Sequence, residues 1–285
     1  MSTRSAALLV LLGALWGGSF VFMRVAVPAL GPVALSFVRV ALAAVILLAV
    51  AGAQRGLPDL SRHWRAFAVV GAVNSALPFA LFSYAAQHLT VSTLAILNAT
   101  SPFFGAALAA LWLGEPLTRR KLAGLALGIT GVAVLAGWKG EALAGATGLA
   151  MVACLGGALC YALAGAYAKR RLAAVPSFAV AAASQLFAAI ALAPALPFAG
   201  VPGPVTPLVV ANVVALAAAS TAVAYLIYFK LIADIGPARA LTVTFLIPLF
   251  GALWGFVFLG EALTADMLVG GALVVGGTVL ALRGK

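Results

Sequence analysis

The chain has 285 residues, of which 65% are hydrophobic and only 8% are charged. A soluble domain contains about 45–50% apolar and about 25% charged residues, so this composition excludes a water-soluble globular protein. The formal net charge of +11 would suit a nucleic-acid-binding protein, but the basic residues are spread over short segments between apolar runs, and no nucleic-acid partner is expected.

Apolar runs of about 20 residues recur along the whole chain, and this is the length at which an α-helix crosses the hydrocarbon core of a bilayer. The connections between the runs are too short for an extramembrane domain. We therefore expect an all-α integral membrane protein that lies in the lipid bilayer. In chain order, the runs predict ten transmembrane helices at 6–26, 32–53, 65–87, 90–113, 120–138, 145–168, 175–197, 207–230, 237–260 and 265–282.

The distribution of lysine and arginine predicts the orientation of these spans. With the N-terminus placed in the cytoplasm, fourteen of these residues fall in cytoplasmic segments, and Arg24 and Lys139 fall on the opposite side. Arg39 lies inside a span. Cytoplasmic loops of membrane proteins carry an excess of lysine and arginine. We therefore expect a multi-pass protein of the cell (inner) membrane with both termini in the cytoplasm.

An internal repeat relates the two halves of the chain. The stretches "LWLGEPLT" and "VFLGEALT" lie 146 residues apart, and at this offset ten of nineteen positions are identical between 113–131 and 259–277. A fixed period of this kind is informative about the whole fold. It predicts two five-helix repeats, 1–143 and 144–285, within one membrane domain.

Five spans per repeat is an odd number, so the second repeat starts on the opposite side of the membrane from the first. The result is an inverted-topology repeat. Such repeats are typical of secondary transporters, in which the substrate binds near the midplane and one part rocks against another to give alternating access.

The repeated motif ends the fourth and ninth spans. Glycine commonly ends a helix, and the threonine that follows, Thr118 or Thr264, can cap the next helix. We interpret Glu115 and Glu261 as parts of a structural cap or hinge at the membrane interface, with a direct substrate or proton site as the alternative.

Polar side chains inside a bilayer are expensive and usually face a cavity or another helix. The 146-residue offset pairs polar residues of spans three and four with polar residues of spans eight and nine, whereas Ser184, Gln185 and Asn212 have no matched pattern. Interhelical hydrogen bonding competes with substrate binding as the explanation. The matched candidates for substrate binding are Asn74, Ser75, Asn98, Ser101, Ser220, Thr221 and Thr244.

Arg39 is the only basic residue well inside a span. It is expected either to bind a substrate carboxylate or take part in a gate, or to make a structural contact. Trp16, Tyr84, Tyr161 and Tyr225 are also within spans. These aromatic residues are expected either to pack between helices or to form a cavity wall that holds a planar ring by stacking.

Pro78, Pro102 and Pro248 lie mid-span, and the last two match across the repeat. Proline removes an intrahelical hydrogen bond and kinks a helix, so these residues are candidate hinges for alternating access, with a static kink as the alternative. Glycines in spans five and ten predict close helix packing, either within one chain or between the chains of a dimer.

None of the six acidic residues lies mid-span. Coupled carriers commonly use a buried carboxylate as a proton relay, so we expect uniport or exchange. No cofactor or metal site is expected. The sequence also contains no Gly-x-Ser-x-Gly or His-Glu-x-x-His motif, so an enzyme is not expected.

Two five-helix halves, "WG" in span one, Arg39 in span two, "NATSP" at 98–102 and the doubled "LGE-x-LT" motif resemble the drug/metabolite transporter superfamily, EamA type. The resemblance covers essentially the whole chain and implies a ten-helix carrier. Many members of that family export amino acids and other small metabolites, so the resemblance also implies an exporter. Spans three and four are similar to those of the YddG-type aromatic amino acid exporters.

The functional hypothesis is therefore a secondary transporter that exports small metabolites, with aromatic amino acids as the first candidates. Its partner would be a small-molecule substrate bound in a central cavity between the repeats. An exporter of drugs or other toxic small molecules, with or without proton coupling, is the alternative. The sequence leaves a monomer and a homodimer equally open.

Overall fold

The structure is a computed structural model that describes residues 2–54, 56, 58–113, 118–136 and 145–283. Within these residues it is helical and contains no β-strand. Two π-helical turns (Ala72–Ala76, Ala218–Val223) and two 3₁₀ turns (Ala193–Phe198, Leu241–Phe245) interrupt the α-helices. The α-helices are α1 (Thr3–Ala53), α2 (Leu60–Gly71), α3 (Leu77–Ala85), α4 (Val91–Asn98), α5 (Ser101–Leu113), α6 (Arg119–Leu135), α7 (Gly145–Arg171), α8 (Ser177–Leu192), α9 (Pro207–Ala217), α10 (Ala224–Ile235), α11 (Pro237–Ala240), α12 (Leu246–Leu259) and α13 (Ala265–Arg283).

Seven helical stretches among the described residues are long and apolar enough to cross a membrane. In hydrocarbon every backbone polar group must be bonded internally, and a helix achieves this within one segment. The prediction of an all-α, multi-pass membrane protein is confirmed, whereas the count of ten spans and their inverted arrangement stay predictions.

The first two predicted spans are joined in one continuous element, α1, and Gly31 marks the boundary between them. Its φ of 71° and ψ of 165° are not helical. This region of φ favours glycine, and a Cβ at this position would also lie 3.3 Å from the carbonyl oxygen of Gly200. The chain therefore turns between the two predicted spans without a separate loop.

The two π-helical turns lie at related positions, because Ala72 and Ala218 are 146 residues apart. In the second turn, the Thr221 hydroxyl donates a 2.9 Å hydrogen bond to the carbonyl of Leu216, five residues earlier. A side chain that bonds to a preceding carbonyl disturbs the regular ladder. Because π-turns of this kind are frequent at functional sites, both turns are of interest for the cavity described below.

The helix is irregular just before each mid-span proline. Pro78 follows the first π-helical turn, Pro102 is the second residue of α5, and Pro248 follows the 3₁₀ turn that precedes α12. Proline has no N–H and tolerates the first turn of a helix. Each proline thus lies in the first turn of a helical segment, and a hinge role for it stays a prediction.

Helices α6 and α13 pack through glycines. A Cβ on Gly124 would lie 2.6 Å from the carbonyl oxygen of Gly277, and a Cβ on Gly131 would lie 2.7 Å from that of Gly270. As position rises along α6 it falls along α13, so the pair is antiparallel. Small residues allow this close approach in membranes. The glycines of predicted spans five and ten thus pack against each other within one chain.

The repeated motif contains the expected caps. Thr118 Oγ1 accepts a hydrogen bond from Lys121 N, and Thr264 Oγ1 accepts one from Met267 N, both at 3.3 Å. Gly260 ends α12 in the left-handed region. The two threonines therefore cap the helices that follow them, whereas Glu115 lies outside the described residues.

Candidate substrate cavity

A cavity of about 1120 Å³ lies in the middle of the helix bundle. Its wall is drawn from both halves of the chain, including α1, α5, α7, α10 and both π-helical turns. It extends to the end of the molecule where α7 connects to α8, since Lys169, Leu172, Val175 and Ser177 line it there. A space of this size exceeds what one small metabolite needs.

Most of the predicted substrate-binding residues meet at this cavity. Ser75 is fully buried and lies one layer behind the wall, where its hydroxyl contacts Gln185. Tyr84 lies elsewhere, with its ring 5.2 Å from the ring of His88. The predicted residues that line the cavity are Trp16, Arg39, Asn74, Asn98, Ser101, Tyr161, Ser220, Thr221, Tyr225 and Thr244.

Arg39 lines the cavity although it is only 6% exposed. Its Nε donates a 3.0 Å hydrogen bond to Thr221 Oγ1, and its Cζ lies 3.6 Å from the centroid of the Phe79 ring. The cation–π contact and the hydrogen bond fix the plane of the guanidinium. Among the described residues, no carboxylate forms an ion pair with Arg39.

Gln185 occupies the position that the 146-residue offset pairs with Arg39. Its Nε2 donates a 2.9 Å hydrogen bond to Ser75 Oγ, and Ser75 is the offset partner of Thr221. The two halves therefore form the same kind of bond, from a side chain on one helix to a hydroxyl in a π-helical turn. The sequence pattern missed this relationship because arginine and glutamine do not look alike at matched positions.

The break between α4 and α5 places the side-chain amide of Asn98 at the cavity wall. Ser101 Oγ donates to the carbonyl of Asn98 at 2.7 Å, and Thr100 Oγ1 donates to that of Leu97 at 2.6 Å. These hydroxyls satisfy carbonyls that the break releases. The Asn98 side chain lines the cavity without a hydrogen-bond partner among the described residues, so it remains available to a solute.

Aromatic rings form much of the wall. The rings of Trp16 and Tyr228 lie 5.3 Å apart between centroids, and those of Tyr225 and Phe229 stack at 6.0 Å. Tyr228 and Phe229 were not among the predicted substrate-binding residues, although both follow Tyr225 at the three- and four-residue spacing that places residues on one helix face. Phe79 was missed as well, and its contact with Arg39 had no sequence signal.

A polar cluster of Glu261, Val91 and Arg24 lies outside the described lining of the cavity. The Glu261 carboxylate accepts hydrogen bonds from Val91 N at 2.8 and 3.1 Å and lies 3.7 Å from Arg24 Nε. Arg24 also donates to the carbonyl of Ala86 at 2.8 Å. Glu261 thus joins the α12–α13 connection to the N-terminus of α4, where a negative charge is favoured.

Burial raises the pKa of Glu261 above its ordinary value, and the N–H groups of Val91 and Ser92 and the charge of Arg24 oppose this shift. The Glu261 side chain is only 10% exposed in the cluster. The hydrogen bonds and the charge of Arg24 therefore favour the ionised form of Glu261, whereas its burial disfavours that form.

The chain resembles known transporters over its full length. The model of the EamA-like transporter family matches residues 4–137 and 148–283. A protein of Streptantibioticus cattleyicolor named "Probable terminal-alkyne amino-acid exporter" is 30% identical over 96% of this chain and 92% of its own length. An "Uncharacterized transporter" of Archaeoglobus fulgidus is 28% identical over 98% of both chains. A solved crystal structure aligns with a TM-score of 0.67 at 21% identity, covering 99% of this chain and 97% of the other.

Proposed function

This chain belongs to the EamA-like transporter family, and we propose that it is a secondary transporter that exports small metabolites, with aromatic amino acids as the first candidates. The observation that carries the proposal is a cavity whose wall comes from both halves of the chain. In transporters with internal repeats, the substrate site lies at the interface of the repeats.

An inverted-topology arrangement of two repeats, 1–143 and 144–285, is part of this proposal. The antiparallel contact of α6 with α13 supports it. At an offset of 146 residues Gly124 pairs with Gly270 and Gly131 with Gly277, while the contacts join Gly124 to Gly277 and Gly131 to Gly270. This exchange is what a two-fold axis between two related halves produces, and an axis in the membrane plane inverts one half relative to the other.

The proposed mechanism is alternating access in the cell (inner) membrane, with ten spans and both termini in the cytoplasm. The cavity reaches the end that carries Lys169, which the positive-inside rule assigns to the cytoplasm. In this proposal the cluster of Glu261, Val91 and Arg24 closes the other end. On this assignment the structure is the inward-facing state.

The composition of the wall supports an aromatic solute. Tyr225 and Trp16 offer ring faces for stacking, and Asn98 and Asn74 offer amides that orient a polar group. The named exporter activity of the Streptantibioticus cattleyicolor relative supports amino acids as the solutes to test first.

Counterflow in proteoliposomes tests the proposal. The vesicles are preloaded with each of the twenty amino acids in turn, and the uptake of labelled phenylalanine is measured. We expect stimulation by aromatic amino acids and its loss in Asn98→Ala. Asn212→Ala is the matched control, because its amide bonds to the Leu208 carbonyl at 2.8 Å on an exposed face of α9. No stimulation by any amino acid would remove this substrate class.

Uniport or exchange is the proposed energetic mode. The described residues that line the cavity include no carboxylate to relay a proton. An imposed pH gradient across the vesicle membrane should therefore leave the equilibrium distribution of phenylalanine unchanged. Uphill accumulation driven by the pH gradient alone would contradict this mode and would favour the proton-coupled alternative.

A further inference from the structure

Arg39 brings a buried positive charge to the wall of a cavity whose described lining contains no aspartate or glutamate. Its three contacts are neutral: the hydroxyl of Thr221, the thioether of Met23 and the ring of Phe79. A buried charge is expensive unless it is paired, especially within a bilayer. No described carboxylate balances this charge, and the other two charged residues of the described lining, Lys121 and Lys169, are also basic.

The structural role of Arg39 does not explain its charge. At the equivalent position of the other half, Gln185 makes the same bond to Ser75 with a neutral amide. A neutral donor is thus sufficient to join the helix to the π-helical turn. Gln185 is fully buried and lies away from the cavity, whereas Arg39 lies at its wall. The charge is present in the half where a solute can reach it.

The charge balance distinguishes two kinds of aromatic solute. A zwitterionic amino acid would pair its carboxylate with Arg39 and would leave its ammonium among neutral oxygens, such as those of Asn74, Asn98 and Tyr225. The immediate surroundings of Arg39 would then keep one net positive charge. A monoanion of the same shape leaves no net charge beside Arg39, which is the cheaper state in a medium of low dielectric constant.

We propose that the cavity selects aromatic monocarboxylates whose amino group is absent or acylated over zwitterionic amino acids, and that Arg39 binds their carboxylate. This inference rests on the proposed function in one respect, namely that the cavity is the transport site. The specificity it assigns is separate, because either charge class of aromatic solute would satisfy the proposed function.

The membrane potential would then drive export without a coupled proton. A monoanion that leaves the cytoplasm moves toward the positive side of an energised membrane. For one charge, a tenfold concentration ratio corresponds to about 60 mV. Transport of the anion by itself is therefore electrogenic, whereas transport of a zwitterion is not.

The test uses three probes that share a benzyl group and differ in charge: N-acetylphenylalanine, phenylalanine and phenethylamine. Counterflow is measured in proteoliposomes of the full chain, with protein-free vesicles as the leak control. We expect the half-saturating concentration of N-acetylphenylalanine to be at least tenfold below that of phenylalanine, and no transport of phenethylamine. A potassium gradient with valinomycin should drive uphill accumulation of N-acetylphenylalanine on the positive side only.

Variants separate charge recognition from structure. Arg39→Gln introduces the side chain found at position 185, so it keeps a donor for Thr221, and we expect it to remove the preference for the anion over the zwitterion. Arg39→Lys should keep that preference. Arg65→Gln is the matched control, because Arg65 is exposed and lies over the Trp64 ring, outside the cavity. The assay driven by the potassium gradient uses the parent protein, so it tests the preference for an anion even if Arg39→Gln fails to fold.

Each outcome is decisive. Phenylalanine transported as well as N-acetylphenylalanine or better, with no response to the potential, overturns the inference and leaves the proposed function standing. An anion preference that survives in folded Arg39→Gln overturns the role of Arg39. If neither N-acetylphenylalanine nor phenylalanine is transported, both the inference and the aromatic part of the proposed function are overturned.

Discussion

Arg39 in α1 and Thr221 in the second π-helical turn are joined by a 3.0 Å hydrogen bond across 182 residues of sequence. The same hydroxyl donates to the carbonyl of Leu216 at 2.9 Å. Thr221 therefore accepts from the cavity arginine and donates to a carbonyl of its own helix, so it couples the shape of the turn to the position of the charge.

Thr221→Val should weaken substrate binding without abolishing transport. The variant removes the acceptor that orients the guanidinium, so we expect KM in counterflow to rise several-fold while the maximal rate changes little. The loss of the interhelical hydrogen bond should reduce stability by about 0.6–1.7 kcal/mol.

Thr130→Val is the control for that substitution. Thr130 is exposed on α6, and its hydroxyl bonds to the carbonyl of Ala126 at 2.9 Å. Its kinetics should match those of the parent protein. An unchanged KM in Thr221→Val would show that the contacts of Arg39 with Met23 and Phe79 are sufficient to orient it.

Gly277→Ala should destabilise the protein through the contact between α6 and α13. The new Cβ would lie 2.6 Å from the Gly124 carbonyl oxygen and 2.9 Å from Gly128 N, which forces the helices apart at a cost of about 1–3 kcal/mol. Thermal unfolding in detergent, followed by tryptophan fluorescence, should show a lower Tm.

The adjacent substitution Gly276→Ala is the matched control, because a Cβ there meets nothing within 4 Å. Alanine is the better helix former by about 0.8–1.0 kcal/mol, so Tm should stay the same or rise. Equal losses of Tm in both variants would contradict the close helix contact.

Lowering the pH should stabilise the closed end of the molecule at Glu261. Because burial raises the pKa of this carboxyl in the closed arrangement, the closed form binds a proton more tightly than a form in which water surrounds the carboxyl. The stabilisation is complete below the ordinary glutamate pKa and is lost as the pH rises through the raised value.

The variant Thr90→Cys places a thiol beside the cluster. Its rate of labelling by a membrane-impermeant thiol reagent measures how strongly low pH stabilises the closed arrangement. An exposed reference cysteine corrects the labelling rate for the ionisation of the thiol. The corrected rate should fall as the pH is lowered from the raised pKa of Glu261 to the ordinary glutamate pKa. In Glu261→Gln the corrected rate should not depend on pH there. A corrected rate that increases on acidification would mean that the bonds to Val91 and Arg24 outweigh burial.

Trp16→Leu should reduce the affinity for an aromatic solute. Trp16 lines the cavity and contacts the Tyr228 ring, and one aromatic pair contributes about 0.5–1.5 kcal/mol beyond area burial. We expect the half-saturating concentration to rise at least twofold for aromatic solutes, measured by ligand-induced thermal stabilisation. Trp64→Leu, at a position that is 52% exposed, should leave it unchanged.

Several parts of the site were predictable because they depend on local chemistry. The offset of 146 residues paired Asn98 with Thr244 and Ser75 with Thr221, and three of these four residues line the cavity. Tyr228 and Phe229 were within reach of the same reasoning, since helical spacing from Tyr225 places them on its face. Tyr84 shares a span with candidates at the cavity, but the turn of the helix directs it elsewhere.

The sequence alone determined the class of protein, because 65% hydrophobic residues in runs of about 20 have no stable arrangement except as helices in a bilayer. It also determined which segments correspond, because the motif around Glu261 repeats that around Glu115. Only the tertiary structure decided which charges meet. The contacts of Arg39 with Thr221 and of Glu261 with Val91 join residues 182 and 170 positions apart. Such contacts depend on how whole helices pack, and helix packing leaves no periodic trace in any single segment.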